Sequence, residues 1–269
     1  ILPREDPDAA AIVQKSVVRD GVTLLCCGKN IEVEPAENGR ARISLDSHDE
    51  HYDHTVDRIL VAVGRRPNTE GLALDRAKIR HDDKGIKVDD HLRTSNPRVF
   101  AAGDICLKHK FTHAADAAAR IVVRNALLGW IPFKPKASNL VMPWCTYTDP
   151  EIAHVGRTVE QLEDEDVAFK TVTVGMDSVD RAVLESQTEG LLKVHVRPGG
   201  KILGATLVAR HAGETISQIT TAIVHGVKLQ KMSSVIHPYP TQAEAIKKAG
   251  DQYFKQWLLG LKSRFLPFL

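Results

Sequence analysis

Two apolar runs dominate the C-terminal half of the chain. Leu191-Leu192-Lys193-Val194-His195-Val196 and Ile202-Leu203-Gly204-Ala205-Thr206-Leu207-Val208 flank Pro198-Gly199-Gly200. Strand-forming runs on either side of a Pro/Gly turn signal a hairpin. Behind it, residues 212–225 place Ile216, Ile219 and Ile223 on one face of a helix, and another helix is expected after Thr241. A strand pair backed by helices makes the region from about residue 136 an α+β unit.

The N-terminal part reads differently. Asp6-Pro7 has the form of a helix N-cap followed by Pro at the first helical position, and Gly21 supplies the stop. Residues 22–27 and the apolar run Arg58-Ile59-Leu60-Val61-Ala62-Val63 are strand candidates, the second expected to be buried and to end at Gly64. Between them, residues 31–33 and 41–45 alternate around Asn38-Gly39, which predicts a hairpin. Further on, Asp82-Asp83-Lys84-Gly85 turns the chain before Ile86-Lys87-Val88. The short run Val99-Phe100-Ala101-Ala102 leads into Gly103-Asp104, and residues 114–128 form an Ala-rich helix stopped at Gly129. The region up to about residue 68 resembles the second half of an α/β nucleotide-binding domain, so portions of such a fold followed by an α+β domain are expected.

The 269 residues suffice for about two domains. A formal charge of +2, with no basic tract interleaved with aromatics, argues against a nucleic-acid partner. No apolar run approaches the ~20 residues of a membrane span. The apolar-basic tail, Tyr253 to Leu269, is expected to pack in a core or interface. Four cysteines, Cys26, Cys27, Cys106 and Cys145, form neither a disulfide framework nor paired zinc knuckles, so a reducing, cytoplasmic setting is expected and no metal site is assigned. Cys26 and Cys27 are read as two packed thiols. The first residues, Ile1-Leu2-Pro3-Arg4-Glu5-Asp6, lack the form of a signal peptide, and a start without Met hints at truncation.

Three motifs carry a resemblance. They are Ala62-Val63-Gly64-Arg65-Arg66-Pro67-Asn68, Val99-Phe100-Ala101-Ala102-Gly103-Asp104 and Tyr239-Pro240-Thr241-Gln242-Ala243-Glu244. In this order the chain resembles the C-terminal part of a pyridine nucleotide–disulfide oxidoreductase of the mercuric reductase and dihydrolipoamide dehydrogenase group. The resemblance implies three segments: 1–68 as the C-terminal half of an NAD(P)-binding domain, 69–135 as the C-terminal portion of an FAD-binding domain, and 136–269 as a dimerisation domain. The family's redox pair, Cys-x4-Cys on a helix, is not among these residues.

The resemblance also implies the site. Asp104, after a Gly103 that lets backbone approach a ligand, would accept a hydrogen bond from the ribityl chain of FAD. The helix start Thr112-His113-Ala114 would turn its free N–H groups toward the flavin. His113 itself reads as a capping or packing residue. Gly64 would lie against the nicotinamide nucleotide of NAD(P)H, with Arg65 near its phosphates. Most of the family has a His five residues before a Glu, as an acid/base and its orienting partner. Here the position five before Glu244 is Tyr239, and His237 is offset by two. Mercuric reductases resemble this chain in that Tyr. A phenol, with a reference pKa of about 10, is a poor base near neutral pH. The Tyr239–Pro240 bond is a candidate cis peptide.

The expected activity is electron transfer from NAD(P)H through FAD to a disulfide and then to a small electron acceptor, in a homodimer whose partner completes the site. Two alternatives stand beside it: dihydrolipoamide dehydrogenase-like activity through His237, and a non-catalytic dimerisation fragment without FAD.

Overall fold

The computed structural model describes residues 1–130 and 132–265. In chain order the strands and helices begin with α1 (Pro7–Arg19), β1 (Lys29–Pro35), β2 (Ala41–Ser47), β3 (Glu50–Val56), β4 (His81–Asp82), β5 (Gly85–Ile86) and α2 (Thr112–Leu127). They continue with β6 (Pro143–Thr146), β7 (Glu151–Gly156), α3 (Val159–Asp164), β8 (Lys170–Gly175), α4 (Asp180–Leu184), β9 (Leu191–Val196), β10 (Ile202–Ala209), α5 (Ala212–Val224), α6 (Leu229–Met232) and α7 (Glu244–Phe265). The chain divides into two compact units, one built from residues 1–30, 46–51 and those from 141 on, the other from residues 31–45 and 52–140.

The first unit centres on a five-stranded sheet of order β6-β7-β10-β9-β8, antiparallel throughout. Successive side chains on a strand point to opposite faces. One set, including Val155, Leu192, Val194, Ala205 and Leu207, packs with Ile216, Ile219 and Ile246 of α5 and α7 in the main core. Each fully buried aliphatic side chain of this kind contributes roughly 1.5–3 kcal/mol. The alternate set carries Ile152, His154, Lys193, His195, Thr206 and Val208. Its apolar part is covered by Ala9 and Val13 of α1.

α1 begins where the sequence places it. Asp6 accepts hydrogen bonds from the backbone N–H groups of Asp8 and Ala9, and Pro7 fills the first helical position. The same segment is tied to the sheet by side chains. Trp144 Nε1 and Thr146 Oγ1 donate to Glu5 at 3.1 and 3.0 Å, and Trp144 stacks on His154 with ring centroids 4.3 Å apart.

The second unit contains α2, the β4–β5 hairpin and most of a three-stranded sheet of order β1-β2-β3. The turn at Asn38-Gly39 has both residues at positive φ, 58° and 70°, as a tight hairpin needs. Two small apolar clusters hold the rest. Leu74, Ile79, Ile86 and Ala101 form one, and Leu92, Ala118 and Ile121 form the other.

Four expectations about local structure need correction. Residues 22–27 form no strand; a turn occupies Cys26-Cys27, with Cys27 at φ 57°. That turn exposes Cys27, so the two thiols are not a packed pair. The run Ile59–Val63 is neither a strand nor buried: Leu60 is 90% and Val63 93% exposed. An apolar run becomes a central strand only where neighbours pair its N–H and C=O groups, and no described strand lies beside it. Val99–Ala102 is reduced to a single bridge, Phe100 to Arg93. The part of the apolar-basic tail beyond Phe265 lies outside the described residues. Within the part described, Tyr253 is buried in the main core, while Trp257 and Leu258 are each 46% exposed. No described helix is long and apolar enough to cross a membrane.

Candidate functional site

In the second unit the structure gathers several residues expected to hold a cofactor. Gly103 sits at φ 79° and opens a short 3-10 turn that carries Asp104. A Cβ on Gly103 would lie 3.1 Å from the Cβ of Ala115 in α2, a tight approach at a positive φ that favours glycine. Asp104 is about half exposed, and Arg65 Nη1 stands 3.9 Å from its Oδ2. Arg65 also donates to the carbonyl of Lys110 at 3.1 Å, while Lys110 Nζ donates to the backbone carbonyl of Asp104 at 2.9 Å. The motifs assign Arg65 to one cofactor and Asp104 to another; the structure sets them side by side. The part of Lys110 in that arrangement has no signal in the motifs.

α2 begins at Thr112 with Phe111 at the N-cap, which offers no side-chain acceptor to the first turn. Its early N–H groups therefore keep the partial positive charge of a helix start. Ala114 is buried beneath it. His113 is exposed, its ring parallel to that of Phe111 with centroids 5.3 Å apart. Gly64 is at φ 119° in an exposed stretch, and a Cβ placed on it would meet nothing within 4 Å. A glycine turn, a half-exposed carboxylate and an uncapped helix start fit the cofactor chemistry expected of these residues.

In the first unit the structure builds a second cluster around Tyr239. Its hydroxyl donates to Asp180 Oδ2 at 2.7 Å, not to Glu244. That hydrogen bond first, and the carboxylate charge second, raise the Tyr239 pKa above the ordinary phenol value. Glu244 opens α7. Its Oε1 meets Lys248 Nζ at 3.2 Å, one turn on, and Lys248 also donates to the carbonyl of Ser178 at 2.6 Å. Glu244 Oε2 is buried and has no hydrogen-bond partner among the described residues. Beside the pair, Arg181 binds Glu185 at 2.5 Å, and that contact holds the Glu185 carboxyl below its usual range. His237 is committed elsewhere. Nδ1 contacts the carbonyl of Val235 and Nε2 contacts Gln218 Oε1, each at 3.0 Å. The Tyr239–Pro240 peptide is cis, as the resemblance implies. Asp180 lies 59 residues from Tyr239, and nothing in the motif points to it.

A cavity of about 430 Å³ opens elsewhere in the first unit, lined in part by Glu5, Asp6, His154, Lys193 and His195. None of the three motifs reaches it.

The first unit is thus a five-stranded antiparallel sheet with helical backing, and the second carries a glycine-carboxylate turn and a helix start without a side-chain cap. The chain belongs to the pyridine nucleotide–disulphide oxidoreductase family. Residues 1–120 match the family's oxidoreductase profile and residues 142–250 its dimerisation-domain profile. It is 33% identical over 252 residues to a mercuric reductase from Streptomyces lividans, covering 93% of this chain and 52% of that protein. It is 31% identical over 259 residues to a dihydrolipoyl dehydrogenase from Thermus scotoductus, covering 95% and 55%. Among solved structures it is similar to the HOCl-induced flavoprotein disulfide reductase RclA from Escherichia coli, at TM-score 0.79 and 26% identity over 92% of this chain and 56% of that one. It is also similar to LpdA from Mycobacterium tuberculosis, at TM-score 0.81 and 26% identity over 93% and 54%. The chain spans about half the length of the relatives it matches.

Proposed function

We propose that this chain is the cofactor-gripping and dimerising part of an oxidoreductase that passes electrons from NAD(P)H through FAD to a disulfide and then to a mercuric-ion-like electron acceptor. One observation carries the choice of acceptor. The acid/base position holds Tyr239, whose proton is bound by Asp180, while both ring nitrogens of His237 are engaged. A His offered as a proton shuttle needs a nitrogen directed at the substrate. The mercuric reductase relatives agree with this reading; the dihydrolipoyl dehydrogenase relatives keep the alternative in view.

Residues 1–68 and 69–135 contribute the later parts of the NAD(P)- and FAD-binding domains, and residues 136–269 the dimerisation domain. Asp104 would accept a hydrogen bond from the ribityl chain, and the start of α2 at Thr112-His113-Ala114 would face negative charge on the flavin ring. Gly64 and Arg65 would contribute to holding the nicotinamide nucleotide. FAD, when bound, supplies two-electron transfer between the nucleotide and the disulfide. Tyr239 and Glu244 act across a homodimer. Four free cysteines agree with a cytoplasmic setting.

The test is the full-length protein, purified with its flavin, assayed with NADPH or NADH against thiol-bound mercuric ion and, separately, by oxidation of dihydrolipoamide. Preference for the metal ion supports the proposal. Efficient dihydrolipoamide turnover with none of mercuric ion overturns it, and protein that dimerises without flavin establishes the non-catalytic alternative.

A further inference from the structure

We propose that Asp180 is a positioning residue for Tyr239: it holds the phenol proton, so that Tyr239 meets its substrate as a lone-pair donor and not as a proton donor. The inference rests on the reading of Tyr239 as a site residue and adds to it the kind of group that Tyr239 recognises.

A phenol has one hydrogen, and an ionised carboxylate can only accept. At 2.7 Å, Tyr239 Oη to Asp180 Oδ2 is a short hydrogen bond to a charged acceptor, a type about twice as strong as a neutral one. A hydrogen bond at an exposed site is usually weak because both side chains must be ordered to make it. Here the backbone behind each is already fixed. Asp180 stands between Val179 and Ala182, both fully buried in the main core. Tyr239 lies in a loop pinned by Thr241 Oγ1 donating to the carbonyl of Pro238 at 2.8 Å. Of the other carboxylates nearby, Glu244 meets Lys248 through Oε1 and Glu185 meets Arg181, and the hydrogen bond of the Tyr239 hydroxyl goes to Asp180.

With its hydrogen turned to Asp180, the Tyr239 oxygen, on a residue that is 71% exposed, presents lone pairs outward. Such an oxygen favours an electron-poor group, such as a thiol-bound metal cation. It disfavours a thiolate that needs a proton. Asp180 therefore biases this position toward cationic acceptors without touching them.

The full-length flavin-loaded enzyme tests this in two ways. First, the near-ultraviolet absorbance of the phenolate is titrated, and subtraction of the Tyr239→Phe variant isolates Tyr239. Its midpoint is expected to fall in Asp180→Asn, which keeps the side-chain shape, and in Asp180→Ala. An unchanged midpoint in Asp180→Asn overturns the proposal. Second, kcat/KM for thiol-bound mercuric ion is expected to drop by about tenfold or more in Asp180→Asn and in Tyr239→Phe. The double variant is expected to be no worse than either single one, because both changes remove the same device. Losses that multiply would show that Asp180 acts independently of Tyr239 and would overturn the proposal. The titration reads the pair whether or not mercuric ion is turned over, so a wrong acceptor and a wrong Asp180 role give different results.

Discussion

Lys193 Nζ lies 2.8 Å from one carboxylate oxygen of Asp6 and 2.9 Å from the other, although 187 residues separate them. Both side chains are largely but not fully buried, 14% and 8% exposed. Burial alone pulls the Lys193 pKa down, but hydrogen bonds to Asp6 and Asp8 reverse this and leave it above the ordinary lysine value. The pair ties the N-cap of α1 to the middle of β9.

Removing one partner of a buried pair leaves the other charge uncompensated, at a cost of roughly 3–5 kcal/mol. Lys193→Met is accordingly expected to destabilise the first unit by about 3 kcal/mol in urea unfolding, since the pair retains some solvent. Asp8→Ala, at a carboxylate 68% exposed, is expected to cost about 1 kcal/mol or less. Equal losses would contradict this account of the pair. The pH dependence has a definite sign. A raised lysine pKa gives stability that is full below the unfolded value of about 10.4 and is lost as pH rises through the folded value.

His154 gives the opposite dependence, on the acid side. Burial is the main cause that pushes its pKa down to about 4, with smaller upward pulls from the Gly156 carbonyl and Asp6. The folded protein therefore binds fewer protons than the unfolded chain between about pH 6.5 and 4. Stability is expected to fall as pH drops through that window, by on the order of 3 kcal/mol. His195, also lowered by burial, acts in the same direction. Denaturant titrations at several pH values, on the parent and on His154→Phe, check this. The variant should show a flatter acid slope, and an identical slope would rule His154 out as the source.

The cysteines are expected to differ in reactivity. The thiolate is the nucleophile. Burial pushes Cys106 up to about 11, and burial with the Glu151 charge pushes Cys145 up to about 12. Cys27 is exposed. Brief iodoacetamide treatment near pH 8, followed by peptide mass spectrometry, should modify Cys27 well before Cys106 and Cys145. Equal labelling of all three in folded protein would contradict the placement of these thiols.

The elements that announce themselves locally were legible in the sequence. Asp6-Pro7 opens α1, Asn38-Gly39 turns β1 into β2, and Pro198-Gly199-Gly200 separates β9 from β10, because caps and turns are set by adjacent residues. Ile59–Val63 misled for a related reason. Its composition is that of a central strand, but strand formation depends on neighbours that a local pattern does not contain. The candidate site divides in the same way. Gly103 and Asp104 are adjacent and readable as a turn, whereas Asp180 reaches Tyr239 only through the packing of α4 against the core. The two-way commitment of His237, to Val235 and to Gln218, is likewise a property of the folded loop.

Substitution of Tyr239 and His237, one at a time, in the full-length flavin-loaded enzyme tests the central claim most directly. With thiol-bound mercuric ion as acceptor, Tyr239→Phe is expected to lower turnover by roughly tenfold or more, and His237→Ala to change it little. Loss of dihydrolipoamide turnover in His237→Ala, with Tyr239→Phe unaffected toward either substrate, would contradict the account.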